Sequence, residues 1–226
     1  MFTVFSSTKS EINSFKVQIY SCCRQPKRLS VIQISNSRSQ DSNVIEDYKH
    51  LVTNYIHAKD THRPHLMKLT FTEKALLEMS VNTDAIKFPT AVEGLGGITK
   101  TLVSDFHKQY ENVYTFCFSN SAVVNDDVLH CHWLVVMTDI ASGSLKIGWG
   151  DYHWRFCRTG DNDELRVQKL YIYIHAMNVV SSDLSTKVFT AFHSLQWPWV
   201  RASELSLPEF SNLIDLDYLV SEVSEE

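Results

Sequence analysis

The chain has 226 residues, of which 44% are hydrophobic and 12% aromatic, so it carries enough apolar side chains to build a real core. Its formal net charge is −5, and the acidic excess lies after residue 40, where 25 acidic residues face 15 basic ones. An acidic body argues against nucleic-acid binding, because neutralising phosphates needs a basic face. No apolar run approaches the roughly 20 residues that a membrane span needs, so no membrane partner is expected.

Residues 1–43 are Ser-rich and weakly patterned, and residues 1–40 contain six Lys or Arg against Glu11 alone. We interpret this segment as a flexible basic extension that cannot bury enough surface to fold. The alternative is an organelle transit peptide, which is also Arg- and Ser-rich. A cytoplasmic location is expected, with organelle targeting as the alternative. The predicted organisation is this extension, a domain over residues 44–178, and an appendix with an acidic tail over residues 179–226.

Helical spacing begins at residue 44. The apolar residues Ile45, Tyr48, Leu51, Val52 and Tyr55 recur every three or four positions, which predicts a first helix.

Two further helices are predicted before the strands. Asp60 precedes Thr61–Leu69 and is placed to cap a second helix, with Pro64 in its first turn. A short strand is expected near Ala75–Met79. A glycine-rich turn then leads into a third helix over Ile98–Tyr110.

A run of strands follows. A short strand is predicted over Val113–Phe118, and three long aromatic-rich strands over Val128–Thr138, Leu145–Arg158 and Leu165–Met177, separated by turn-rich stretches. In the appendix, the apolar residues between 188 and 195 predict one short helix.

This order of elements resembles the nuclear transport factor 2-like superfamily, and within it the SnoaL-like (polyketide-cyclase-like) branch, over about residues 45–178. The stretch Tyr55–Asp60, the Gly97–Ile98 helix start, and the strand pair built on His130–Trp133 and Trp149–Trp154 carry the resemblance. It implies an α+β fold in which a cone-shaped, curved antiparallel sheet packs against three N-terminal helices around one small-molecule pocket. It also implies a homodimer through the sheet face.

Strand alternation allows the two faces of the sheet to be estimated. A hairpin turn near residues 141–142 sets His132 opposite Asp151 and His130 opposite His153, and a turn near residue 161 sets Asp151 beside Tyr171. One face then carries His130, His132, Trp149, Asp151, His153, Arg155, Lys169, Tyr171, Tyr173 and His175. The other carries Cys131, Trp133, Val135, Met137, Tyr152, Trp154, Phe156, Leu170, Ile172 and Ile174. We predict that this apolar face meets the helices and the pocket.

The resemblance also implies candidate site residues. His57 would be the proton-transfer group and Tyr55 a hydrogen-bond donor, in a pocket lined by Trp133, Tyr152, Trp154, Phe106 and Phe116. A relative similar to scytalone dehydratase has an Asp where this chain has His57, and its catalytic histidines fall near Phe116 and near Lys146 or Gly148. That acid/base set therefore does not carry over.

The predicted function is binding of a small hydrophobic organic molecule, with cofactor-free acid/base chemistry if the protein is an enzyme. No cofactor is expected. The alternative is a non-catalytic dimeric binding or assembly module. The polar set His130, His132, Asp151 and His153 could hold a metal, because it gathers imidazoles on one strand face. We favour a subunit interface for these residues. Five cysteines without metal-ligand spacing predict free thiols, those at 117, 131 and 157 being within strands.

Overall fold

The computed structural model describes residues 37–205 and 213–221, with side chains from Val44 onward. Most of the predicted N-terminal extension and the end of the acidic tail lie outside the described residues. Helix α1 spans Ser37–Asp60 and so begins ahead of the boundary predicted at residue 44. Within the described residues, no helix is long and apolar enough to cross a membrane.

The helical layer contains two more segments. A 3-10 helix over Pro64–Leu69 follows α1, and Asp60 does not cap it, since its first residue follows Arg63 and no side chain caps its start. The third segment is α2, Leu95–Thr99, which continues through a π turn, Lys100–Ser104, and a 3-10 turn, Phe106–Lys108. The predicted third helix thus exists but changes its hydrogen bonding twice and ends before Tyr110.

The described strands form one sheet in the order β2-β1-β7-β6-β5-β3-β8, with β4 also paired to β5. Their bounds are Phe71–Val81 (β1), Ala91–Glu93 (β2), Tyr110–Phe118 (β3), Val123–Asn125 (β4), Val128–Asp139 (β5), Leu145–Thr159 (β6), Glu164–Val180 (β7) and Trp199–Val200 (β8). The β1–β7 and β3–β8 pairs are parallel, and the others are antiparallel. The three long strands, β5 to β7, confirm the prediction.

The predicted register of the first long hairpin is confirmed. His132 pairs with Asp151, His130 with His153, and Leu134 with Trp149. In the second hairpin, Asp151 pairs with Tyr173 rather than Tyr171. An irregularity between Arg155 and Phe156 contributes to this shift. Because the shift is two residues, every side chain keeps its predicted face.

The two faces of the sheet bury separate clusters. The inner face carries Trp133, Tyr152 and Trp154 and packs against α1 and the other helical segments, as predicted. The outer face carries a second apolar cluster, in which Leu134 and Trp149 pack with residues of the C-terminal appendix. Two helices of that appendix, α3 (Ser185–His193) and α4 (Leu216–Val220), cover this outer cluster. Their side chains Val188 and Leu219 are fully buried in it.

Phe116, predicted to line the pocket, belongs to the outer cluster instead, with its ring 5.6 Å from that of Phe192 on α3. Alternation along β3 explains the correction, because Phe116 lies between Thr115 and Cys117 and points away from the helical layer.

Gly150 lies at an irregularity in the pairing of β6 with β7. A Cβ atom on Gly150 would come within 1.9 Å of the Tyr173 carbonyl oxygen and 2.9 Å of its carbon. The register shifts between Trp149 and Gly150, and such bulges bend a strand and increase its twist. The close approach of the two backbones therefore requires glycine at this position.

We expect Gly150→Ala to lower the free energy of unfolding by about 2–3 kcal/mol, because the new methyl group meets backbone that cannot rotate away. Gly96→Ala is the matched control, since a Cβ there meets nothing within 4 Å. Urea unfolding followed by circular dichroism measures both variants. Equal stability of the two would contradict the close packing of β6 on β7.

Candidate functional site

The candidate site is a cavity between the inner face of the sheet and the helical layer. Its volume is about 40 Å³, which is room for only a few waters. Its lining is mostly apolar and comes from α1, the loop between β1 and β2, the segment 95–108 and five strands: Tyr55, Lys59, Met79, Ile86, Phe88, Leu102, Phe106, Thr115, Trp133, Val135, Met137, Tyr152, Ile172, Ile174 and Met177.

A buried ion pair lies at the α1 side of the cavity. The Lys59 Nζ donates to Asp60 Oδ1 at 2.5 Å and to Thr115 Oγ1 at 2.8 Å. The Asp60 carboxylate also accepts from the Thr115 backbone N–H at 2.6 Å and from the Thr115 hydroxyl at 3.0 Å. The side chains of Lys59 and Asp60 are only 6% and 2% exposed. Two buried charges are tolerated here because each is paired and hydrogen-bonded.

The ammonium of Lys59 has a third N–H. A lysine ammonium carries three donors, and the contacts with Asp60 and Thr115 use two of them. The Nζ also lies 5.1 Å from the centroid of the Phe106 ring. Since Lys59 lines the cavity, its third donor is the strongest polar group that a bound molecule could meet there.

Two neighbouring tyrosines form another part of the wall. The rings of Tyr55 and Tyr152 meet edge to face, with centroids 6.2 Å apart. Burial raises the pKa of both phenols well above the usual value near 10. Both hydroxyls therefore stay neutral at physiological pH.

Trp133 stacks on Tyr152 with ring centroids 5.3 Å apart. Its indole N–H is buried and has no hydrogen-bond partner among the described residues. The indole N–H groups of Trp149, Trp154 and Trp197 are also unpaired, but none of these three residues lines the cavity.

His57, the residue predicted to transfer protons, does not line the cavity. Its Nε2 lies 3.1 Å from Arg63 Nη1, and its ring meets Trp197 edge to face at 6.1 Å. Helical periodicity explains this placement, since Tyr55 and Lys59 are one turn apart and share a face, whereas His57 is two residues from each and points elsewhere.

Of the predicted site residues, the structure brings together Tyr55, the predicted hydrogen-bond donor, with the predicted lining residues Phe106, Trp133 and Tyr152. Trp154 is fully buried and does not line the cavity. Its ring packs against that of Tyr152, with centroids 5.3 Å apart.

Lys59, Asp60 and Thr115 were not predicted as a group. The one sequence signal was Lys59 itself, a charged residue four positions after Tyr55 and thus on the buried stripe of α1.

The outer-face residues form two different groups. His132 is 3% exposed, and its Nδ1 lies 2.5 Å from Asp151 Oδ1. Residues of the appendix cover this pair, since Tyr218 donates to Asp151 Oδ2 at 2.8 Å and the Ser221 carbonyl lies 3.2 Å from His132 Nε2. The burial of Asp151 opposes its ionisation, yet hydrogen bonds from His132 and Tyr218 leave its pKa lowered.

His130 and His153 lie beyond this cover, with their rings 4.2 Å apart. Across the described residues, no group of three or more His, Cys, Asp or Glu side chains is placed to hold a metal ion. The thiols of Cys117 and Cys131 are free and buried, as predicted, and Cys157 is free and half-buried.

Comparison with solved structures supports the fold. A nuclear transport factor 2-like superfamily protein from Salmonella enterica serovar Typhimurium aligns with a TM-score of 0.51 at 13% identity, over 60% of this chain and 94% of that one. A hexachlorocyclohexane dehydrochlorinase (LinA, type 2) aligns at 10% identity with a TM-score of 0.47, over 64% of this chain and 91% of that one. No protein-family model matches this sequence, and no curated protein matches it at the sequence level.

The Salmonella alignment supports the fold and, at 13% identity, says nothing of an activity. Membership of the SnoaL-like branch stays a prediction. The chain has the nuclear transport factor 2-like fold.

Proposed function

We propose that the cavity binds a small, flat, largely apolar molecule that presents one oxygen acceptor to the Lys59 ammonium. The observation that carries this proposal is the third donor of a buried lysine in an otherwise apolar, aromatic-walled cavity. A hydrogen bond to an oxygen acceptor is stronger than the contact of Nζ with the Phe106 ring, so an acceptor from the ligand would be favoured there. A carbonyl or carboxylate oxygen fits this requirement.

The cavity must enlarge to admit a ring-sized ligand, because its present volume holds only a few waters. Three of the lining residues are methionines, at positions 79, 137 and 177. Methionine has three rotatable bonds and a polarisable sulfur, so it adapts to a ligand at low cost. The aromatic rings of Phe106, Trp133 and Tyr152 would supply flat contact surface.

Proton transfer in this cavity, if it occurs, would use Lys59, Tyr55 or Tyr152, the titratable side chains that line it. His57 lies outside the lining, so the proposal does not use it. No cofactor enters the proposal.

The rival proposal is an assembly module whose cavity only fills the core. A homodimer through the sheet face would have to use the part of the outer face that the appendix leaves open, because Tyr218 and Ser221 already cover His132 and Asp151.

A binding test uses benzoate as the probe and toluene as its apolar counterpart. We expect saturable binding of benzoate, and an affinity about tenfold or more lower in Lys59→Met/Asp60→Asn, because a hydrogen bond to a charged group contributes about 1.5–3 kcal/mol. Toluene binding should be retained. The double replacement avoids an unpaired buried charge, which would unfold a single variant.

The readout is NMR of ¹³C-labelled methionine methyl groups. Met79, Met137 and Met177 line the cavity and should shift, whereas the buried Met67 does not line it and serves as the internal reference. Lys108→Met, an exposed replacement, is the control variant. Failure of both probes to shift the cavity methyl groups would remove the binding proposal and favour the assembly module.

Raising the pH tests whether Tyr55 and Tyr152 are buried as the structure shows. Because burial raises the pKa of Tyr55 and Tyr152, their contribution to stability is complete below pH ~10, the ordinary tyrosine value, and is lost as the pH rises above it. We expect alkaline unfolding and the absorbance of tyrosinate to rise together, and Tyr152→Phe to weaken this pH dependence. Tyr114→Phe, at a half-buried position, should not. Ionisation of every tyrosine with the fold intact would show an open, wet cavity.

A further inference from the structure

The inner cavity has one primary amine among the described residues that line it, and that amine is Lys59. Its side chain is 6% exposed, and its Nζ lies 2.5 Å from Asp60 Oδ1 and 2.8 Å from Thr115 Oγ1. A carboxylate that can accept a proton is therefore in direct contact with the amine. Lysine nucleophiles are activated by an apolar environment and by an adjacent base, and Lys59 has both.

The Lys59–Asp60 pair stands between two spaces. Lys59 and Thr115 line the apolar cavity, whereas Asp60 lines a separate groove of about 320 Å³. Thr61 and Asn112 also line this groove, and both are exposed, so the groove reaches solvent. A proton that leaves the Lys59 ammonium thus has a path through the Asp60 carboxylate, while the amine itself stays in the apolar cavity.

Two other lysines show what is particular to Lys59. Lys108 also contacts an aspartate, with its Nζ 2.7 Å from Asp105 Oδ1, but its side chain is 72% exposed. Lys146 is only 11% exposed, and its Nζ donates to a backbone carbonyl. Neither of them lines the cavity. Burial, a carboxylate within hydrogen-bond distance and contact with the cavity coincide in Lys59 alone of the three.

We propose that Lys59 captures small aldehydes as a Schiff base, with a covalent bond between Nζ and the carbonyl carbon of the ligand. This inference rests on the proposed function, since it needs a carbonyl compound in the cavity. It narrows the class of ligand from oxygen acceptors in general to aldehydes, and it gives the cavity a reaction as well as a binding role.

The reaction balances in atoms and in charge. Asp60 takes one proton from the Lys59 ammonium, and the lone pair of the resulting amine forms a bond to the carbonyl carbon. The carbonyl oxygen takes this proton and then a second one, which Asp60 passes to it from the nitrogen, and it leaves as water. The nitrogen lone pair completes the C=N bond. An aldehyde and an ammonium have become an iminium cation and water.

The iminium product suits the buried site. It keeps the positive charge and one N–H, so the Asp60 carboxylate keeps a charged hydrogen-bond donor and neither charge is left unpaired in the core. Hydrolysis of the product needs water, and the cavity is mostly apolar with room for only a few waters. An occupied cavity therefore slows the reverse reaction.

The test treats the full chain with benzaldehyde and cyanoborohydride, which reduces an iminium to a stable benzylamine, and locates the product by peptide mass spectrometry. Benzaldehyde has the same ring as the two binding probes, benzoate and toluene. We expect Lys59 to be labelled about tenfold or more faster than Lys108 or Lys146, which lie outside the cavity lining. Toluene, which has no carbonyl group, should slow the labelling of Lys59 and leave that of Lys108 unchanged.

Methionine methyl spectra separate this proposal from the binding proposal. Benzaldehyde that shifts the cavity methyl groups but is not trapped on Lys59 overturns the Schiff base and leaves the binding proposal in place. Absence of any shift with benzaldehyde, benzoate and toluene removes both. Labelling of Lys59 no faster than that of Lys108, or without protection by toluene, also overturns the Schiff base, since ordinary amine reactivity would explain it. Fast labelling of Lys59 that toluene suppresses supports it.

Discussion

The contact that ties the last turn of α1 to β3 supports the rest of the candidate site. Asp60 accepts two hydrogen bonds from Thr115, and Lys59 bridges the same carboxylate and hydroxyl. Because both charges are buried, neither can move away without leaving the other unpaired in the core. This contact holds α1 over the sheet, and so it sets the distance between Tyr55 and Tyr152 and keeps a cavity between the layers.

The two faces of the sheet are used in different ways. The inner face is apolar and buries the cavity, where one ammonium and two neutral phenols are the polar groups. The outer face is divided between an apolar part covered by α3 and α4 and a polar strip around His130 and His153. The two faces therefore differ in chemistry and in the elements that cover them.

Local patterns predicted much of the fold. The hairpin between β5 and β6 was placed correctly because the short turn-rich stretch between the strands sets their pairing, and alternation puts Trp133 and Trp154 on the same buried face. The register of β7 differed by two residues, partly because the irregularity near Arg155 has no marker in the sequence. Asp60 looked like a helix cap, since it precedes a proline-containing turn. Its carboxylate instead accepts hydrogen bonds from Thr115 on β3.

The sequence by itself determined the order of helices and strands and the apolar face of the sheet, because these follow from periodicities of 3.6 and 2. The meeting of Tyr55 with Trp133 and Tyr152 was implied by the family resemblance. Only the tertiary structure decided that Lys59 and Asp60 are buried and that the appendix covers His132. Each of these depends on residues distant in the chain: Thr115 lies 55 positions after Asp60, and Ser221 lies 89 after His132. Burial and charge pairing arise from such long-range contacts, which no local pattern encodes.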